Sequence, residues 1–146
     1  RLVGSEMCIR DSPCKTQTCK THPERNEMST TTDTTRNAAA TYFTAWQDRD
    51  FDRLRTVLAP DVTFVGALGT ASGIDECIAG LRGMAESVMA RIDVQARVAD
   101  GADVITWFDL VTQQGAVLPT ANWSHVEDGL ITAIRVAFDP RPLTDA

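Results

Sequence analysis

Two Asp-Gly dipeptides constrain this chain more than any other feature. Asp100-Gly101 and Asp128-Gly129 each stand between runs that alternate apolar and polar residues. Asp-Gly supplies the positive φ that tight hairpin turns demand, so each marks a place where two antiparallel strands meet. Before the first turn, Ile92, Val94, Ala96 and Val98 alternate with Asp93, Gln95 and Arg97. After the second, Ile134, Val136 and Phe138 share one face, and Ala133, Arg135, Ala137 and Asp139 the other. Between the turns, Val104–Thr112 is apolar on both faces, as a central strand is. Gln113–Gly115 turns the chain and Val117–Val126 continues it, with Pro119 implying a bulge or an edge position near the strand start. The C-terminal half is therefore a four-stranded antiparallel meander.

The N-terminal half has the helical period. Ala39, Tyr42, Phe43 and Trp46 fall at i, i+3, i+4 and i+7. Asp50 is placed to cap a short helix carrying Phe51, Leu54, Val57 and Leu58, which Pro60 is expected to stop. Val62, Phe64 and the run to Leu68 read as a strand closed by Gly66 and Gly69. Ser72, three residues before Asp75, resembles a capping box. It opens a helix with Ile74, Cys77, Ile78, Leu81, Ala85 and Val88 on one side. Gly80 and Gly83 are expected to mark close helix-to-sheet packing. The order helix, helix, strand, helix, meander gives an α+β fold. Three N-terminal helices in the hollow of a curved antiparallel sheet make a cone-shaped cavity able to hold a small apolar ligand.

Residues 1–27 differ from the rest. They hold three of the four cysteines (Cys8, Cys14, Cys19) and both lysines. Residues 1–12 resemble a translated sequencing adapter, so 1–27 is expected to be a non-native leader with Met28 as the start. The cysteine spacing lacks the close pair that zinc sites favour, and no signal-peptide core is present. Residues 28–36, polar and Thr-rich, are expected to be disordered. That leaves one domain, 37–143, large enough to bury about two thirds of its unfolded surface. From Met28 onward nine arginines face sixteen acidic residues, a net charge of −7. That balance argues against nucleic acid as a partner. Cys77 is expected to be a small buried hydrophobe in a reducing cytoplasm, and no apolar run suits a membrane span.

The order of elements and several local signatures resemble the nuclear-transport-factor-2-like superfamily, and within it the SnoaL-like group. The matching residues are Trp46-Gln-Asp-Arg-Asp-Phe51, Leu58-Ala-Pro-Asp-Val-Thr-Phe64, Gly73-Ile-Asp-Glu76, Asp128-Gly-Leu-Ile131 and Phe138-Asp139. The resemblance implies a cystatin-like roll, a homodimer formed through the outer sheet face, no cofactor and a small hydrophobic or polycyclic ligand. Function varies widely within this superfamily, from isomerases, cyclases and epoxide hydrolases to binding proteins.

The resemblance also implies where chemistry would reside. The isomerase base, or cyclase Asn, on the first strand falls on Gly66. The pocket Asp of the last strand falls on Val136, and the cyclase His on Asn122. The hydrolase Arg-x-Asp falls on Trp107-Phe-Asp109, and the isomerase oxyanion-hole Tyr on Tyr42. Asp109, expected to face the cavity with Trp107, is the candidate proton carrier, since an apolar pocket raises a carboxyl pKa. The competing role is a strand hydrogen bond or a place near the mouth. Tyr42 is the candidate donor to a ligand oxygen, or else a core aromatic. Trp46, Phe64, Trp107, Asn122 and Val136 are expected to line the pocket. Trp123, His125 and Arg135 are expected at the dimer interface. No metal-ligand cluster surrounds His125, so no metal is expected.

Overall fold

The computed structural model describes residues 23–144, with side chains from Thr30 onward. The chain divides into two compact units, Arg1–Thr31 and Thr32–Ala146. In the first, the described residues are helical; the second carries the sheet. The proposed leader thus lies mostly outside the described residues. The elements are α1 (Pro23–Gln47), α2 (Phe51–Arg55), β1 (Leu58–Gly66), β2 (Gly69–Ser72), α3 (Ile74–Ser87), β3 (Met89–Asp100), β4 (Asp103–Thr112), β5 (Val117–Glu127), β6 (Leu130–Ala137) and α4 (Arg141–Thr144).

The α+β class is as expected, with one curved six-stranded sheet ordered β2-β1-β6-β5-β4-β3. The meander β3 to β6 is antiparallel throughout. β1 joins β6 in parallel, making the sheet mixed. The turn between β5 and β6 has Asp128 at φ 53° and Gly129 at φ 79°, the two positive values of a type I′ hairpin. The other hairpin closes one residue later than its Asp-Gly suggests. Asp100 pairs with Asp103, so Gly101 (φ 61°) takes the first central position.

Residues 28–36 are helical rather than disordered, since α1 begins at Pro23. Two threonine hydroxyls account for the order of the stretch. Thr35, buried, donates to the Gly101 carbonyl at 2.7 Å, and Thr32 accepts from the Gly101 amide at 3.0 Å. Both backbone groups of the hairpin turn are thereby satisfied by α1. Each such bond stabilises by about 1 kcal/mol.

Further along α1, Tyr42, Phe43 and Trp46 are buried as the helical period requires. Phe43 meets Phe108 of β4 edge-on at 5.0 Å, and the Trp46 indole donates to the Leu81 carbonyl at 2.9 Å. These contacts set α1 against both the sheet and α3. Asp50 caps α2 through the Arg53 amide. Arg49, with φ 59°, reaches over to the end of α3. Its guanidinium donates at 2.8 Å to the Ala85 carbonyl, which the helix end leaves open, and at 2.8 Å to the Met89 carbonyl at the start of β3.

Three local expectations are corrected. Pro60 does not stop a helix; α2 ends at Arg55, and Pro60 lies inside β1 where pairing with β6 is interrupted between Leu58 and Thr63. A proline has no amide to donate, and an irregular stretch needs none. β1 closes at Gly66 as expected, but Gly69 opens a further strand, β2, and pairs with Gly66 across the hairpin. Gly80 and Gly83 do not mark tight packing, because a Cβ at either would meet nothing within 4 Å. Pro119, as expected, sits near the start of β5, before its pairing with β6 begins at Ala121.

Candidate functional site

A cavity of about 370 Å³ opens between α1, α3, the β1–β2 hairpin and the inner sheet face. Trp46 and Phe64 form aromatic wall, with Leu81 and Met84 from α3 and Phe108 from β4. Gly66 controls where the Phe64 ring lies: a Cβ at position 66 would fall 2.8 Å from the ring edge. The missing side chain thus gives room to an aromatic wall. On α3, Gly80 lines the cavity without narrowing it.

The deep end is polar. Tyr42 and Asn122, both almost fully buried, line it from α1 and β5. The Ser124 hydroxyl donates to Asn122 Oδ1 at 2.9 Å, leaving the Asn122 amide nitrogen as a donor. Burial holds the Tyr42 phenol well above its ordinary pKa; nearby Cys77 adds to this, while hydrogen bonding by Asn122 opposes it. Tyr42 therefore keeps its proton at neutral pH. Cys77 also lines the cavity, and burial pushes its thiol up to about 11. A thiol so placed is a poor nucleophile. At the exposed rim, Glu76 accepts from the Ser72 amide at 3.0 Å. It is the sole carboxylate among the described lining residues.

Of the residues expected in the pocket, Tyr42, Trp46, Phe64, Asn122 and Val136 are brought together there. Trp107 and Asp109 are not. Thr106 pairs with Asn122, and paired residues share a face, so Thr106 and Phe108 point inward while Trp107 and Asp109 point outward. Asp109 contacts the Gln95 amide at 3.3 Å, away from the cavity. Trp123, His125 and Arg135 also occupy the outer face, as their pairing shows. His125 stands between Asp103 (2.8 Å) and Glu127 (3.3 Å). Among the described residues no three His, Cys, Asp or Glu side chains assemble as a metal site.

Sequence reasoning missed Glu76, Met84 and the β1–β2 hairpin residues Leu68, Thr70 and Ala71. Cys77 and Leu81 were legible as an apolar helix face but not as cavity wall. The one available signal was Gly66-to-Gly69, a short gap between two extended runs, which is hairpin spacing.

A family model for the SnoaL-like domain matches residues 39–134. The chain belongs to the SnoaL-like family. The matched span contains the cavity-lining residues from Tyr42 to Asn122 and stops just before Val136. Solved structures agree with this fold. A protein from Kribbella flavida DSM 17836 superposes with a TM-score of 0.70 at 26% identity, covering 75% of this chain and 89% of that one. An NTF2-like protein of unknown function from Cytophaga hutchinsonii ATCC 33406 gives 0.68 at 26%, covering 75% and 94%. An LEH-like epoxide hydrolase of M. tuberculosis gives 0.67 at 24%, covering 78% and 89%. No curated protein sequence matches the chain. The SnoaL-like fold supports a small-molecule-binding or isomerase-like domain.

Proposed function

We propose that this domain binds a hydrophobic, planar or polycyclic molecule carrying one hydrogen-bond-accepting oxygen, and releases it unchanged. One observation carries this reading: the deep end of an aromatic-walled cavity presents two buried donors, the Tyr42 hydroxyl and the Asn122 amide. A carbonyl or ether oxygen placed there satisfies both, and the walls bury the hydrocarbon. The carboxylate nearest to the site is Glu76 at the rim, not a group beside the donors. Gly66 and Val136 stand where the family resemblance implies acids. The likeness to the epoxide hydrolase speaks to fold, since its identity is too low to carry an activity. Two SnoaL-like copies would meet through the outer sheet face around Trp123, His125 and Arg135, where Ile105 and Trp107 are about half exposed. The free buried Cys77 suits a reducing, cytoplasmic setting.

The test is a panel of hydrophobic ketones, enones and epoxides, read by melting temperature and by mass spectrometry of the recovered compound. Members that fit should raise the melting temperature and return unaltered. A second reading has one observation in its favour, that Glu76 and Tyr42 line the same cavity. Under it, Tyr42 polarises the oxygen and Glu76 moves a proton. Turnover of any panel member that Glu76→Gln abolishes would replace the binding reading with this one.

A further inference from the structure

Alternation along β3 places Arg97 on the outer face with Asp93 and Gln95, yet the structure turns it inward. The cause is a β-bulge. Val94 pairs with Phe108, but Ala96 pairs with Trp107 and Arg97 with Thr106, so Gln95 is the extra residue and the face changes across it. Bulges re-aim side chains, and they collect near sites. The inward Arg97 borders a second cleft of about 160 Å³ between α1 and β3, separate from the main cavity. Phe43, Ile92 and Val94 form its apolar walls, with Ala40 and Gln47 completing the α1 side.

The guanidinium is fixed. Its Nε donates to the Thr106 hydroxyl at 3.1 Å, and its carbon lies 5.4 Å from the centre of the Phe43 ring. Both terminal nitrogens remain as donors. Arg36, one turn before Ala40 on α1, is close enough for its charge to act on Arg97 unfavourably. Among the described residues, neither arginine has a carboxylate partner. A strongly acidic chain thus holds Arg97, turned inward past a bulge, beside a cleft with the charge of Arg36 acting on it. Mutual repulsion and partial burial both disfavour that arrangement unless an anion joins it.

We propose that the α1–β3 cleft binds a small organic carboxylate, its charge on the free nitrogens of Arg97 and its apolar body against Phe43, Ile92 and Val94. A planar guanidinium matches a carboxylate with two parallel bonds. A cavity of about 150 Å³ suffices for benzene, so a benzoate-sized acid suits the space.

The probe is benzoate, titrated into the full chain and followed by amide NMR, with benzamide as the uncharged control. Benzoate should shift resonances at residues 40–47 and 92–97 and bind at least about tenfold more tightly than benzamide. Arg97→Gln should weaken benzoate at least about tenfold, and Arg97→Lys less. Ala40→Trp, which fills the cleft but keeps the guanidinium, should abolish binding. Equal affinity for benzamide, unchanged affinity in Arg97→Gln or Ala40→Trp, shifts confined to the main cavity, or no saturable binding at all would each overturn the proposal.

Discussion

Single side chains set the chemistry of the main cavity, and the buried Cys77 reports on its enclosure. Its thiol is pushed up to about 11 by burial, from an ordinary 9.0. The thiolate, which is the reactive form, is therefore scarce at pH 8. Alkylation of Cys77 by iodoacetamide, localised by peptide mass spectrometry, should run at least about tenfold slower in the folded chain than in urea. Equal rates would mean that the side chain is not enclosed. A ligand seated in the cavity should slow it further. Asp139 gives a second residue-scale check at the opposite extreme of exposure. Hydrogen bonds from Arg141, at 2.6 to 3.0 Å, hold its carboxyl at about 2. Because the folded value is depressed, this pair favours the folded chain above the ordinary carboxylate range and loses that effect as pH falls toward 2. Arg141→Gln should return the Asp139 titration, followed by carboxyl NMR, toward 3.8. A titration unmoved by the substitution would assign the shift to another cause.

At the scale of elements, helices were legible where one face carries a repeating apolar stripe, and hairpins where a turn dipeptide forces φ above zero. Tyr42, Phe43 and Trp46 on α1 and Asp128-Gly129 between β5 and β6 show both successes. Faces of strands were less legible. β4 is apolar on both sides, so alternation could not say which side carries Phe108 and which carries Trp107 and Asp109. The pairing of Thr106 with Asn122 decides it, and pairing is a tertiary fact. The β3 bulge is hidden for the same reason: one extra residue exchanges faces without leaving a turn signal. The helical lead-in depends on Thr32 and Thr35 finding the Gly101 backbone 66 to 69 positions away, which no local rule exposes. Gly80 and Gly83 on α3 support an element-scale prediction. Both could accept a Cβ without a clash. Ala at either should therefore stabilise the helix by up to about 1 kcal/mol in urea unfolding. Destabilisation would show that α3 packs more tightly than its geometry indicates.

At the scale of the whole molecule the sheet has two faces. The inner face, with α1 and α3 over it, encloses the cavity. The outer face leaves Val98 68%, Ile105 52% and Trp107 46% exposed. If two copies meet there, Trp107→Glu should give monomers in sedimentation velocity; an unchanged profile would remove the outer face from the assembly. Ligand binding at the inner face is tested by calorimetry with 2-acetylnaphthalene and 2-ethylnaphthalene, which differ chiefly in one acceptor oxygen, on the wild-type chain and on Tyr42→Phe. One hydrogen bond is worth about 0.5–1.5 kcal/mol. The ketone should therefore bind at least about threefold more tightly than the hydrocarbon to the wild type, and Tyr42→Phe should reduce that preference by the share of one donor, about threefold to tenfold, leaving the share of Asn122. Equal affinities in the wild type, or a ketone preference untouched by Tyr42→Phe, would contradict the account.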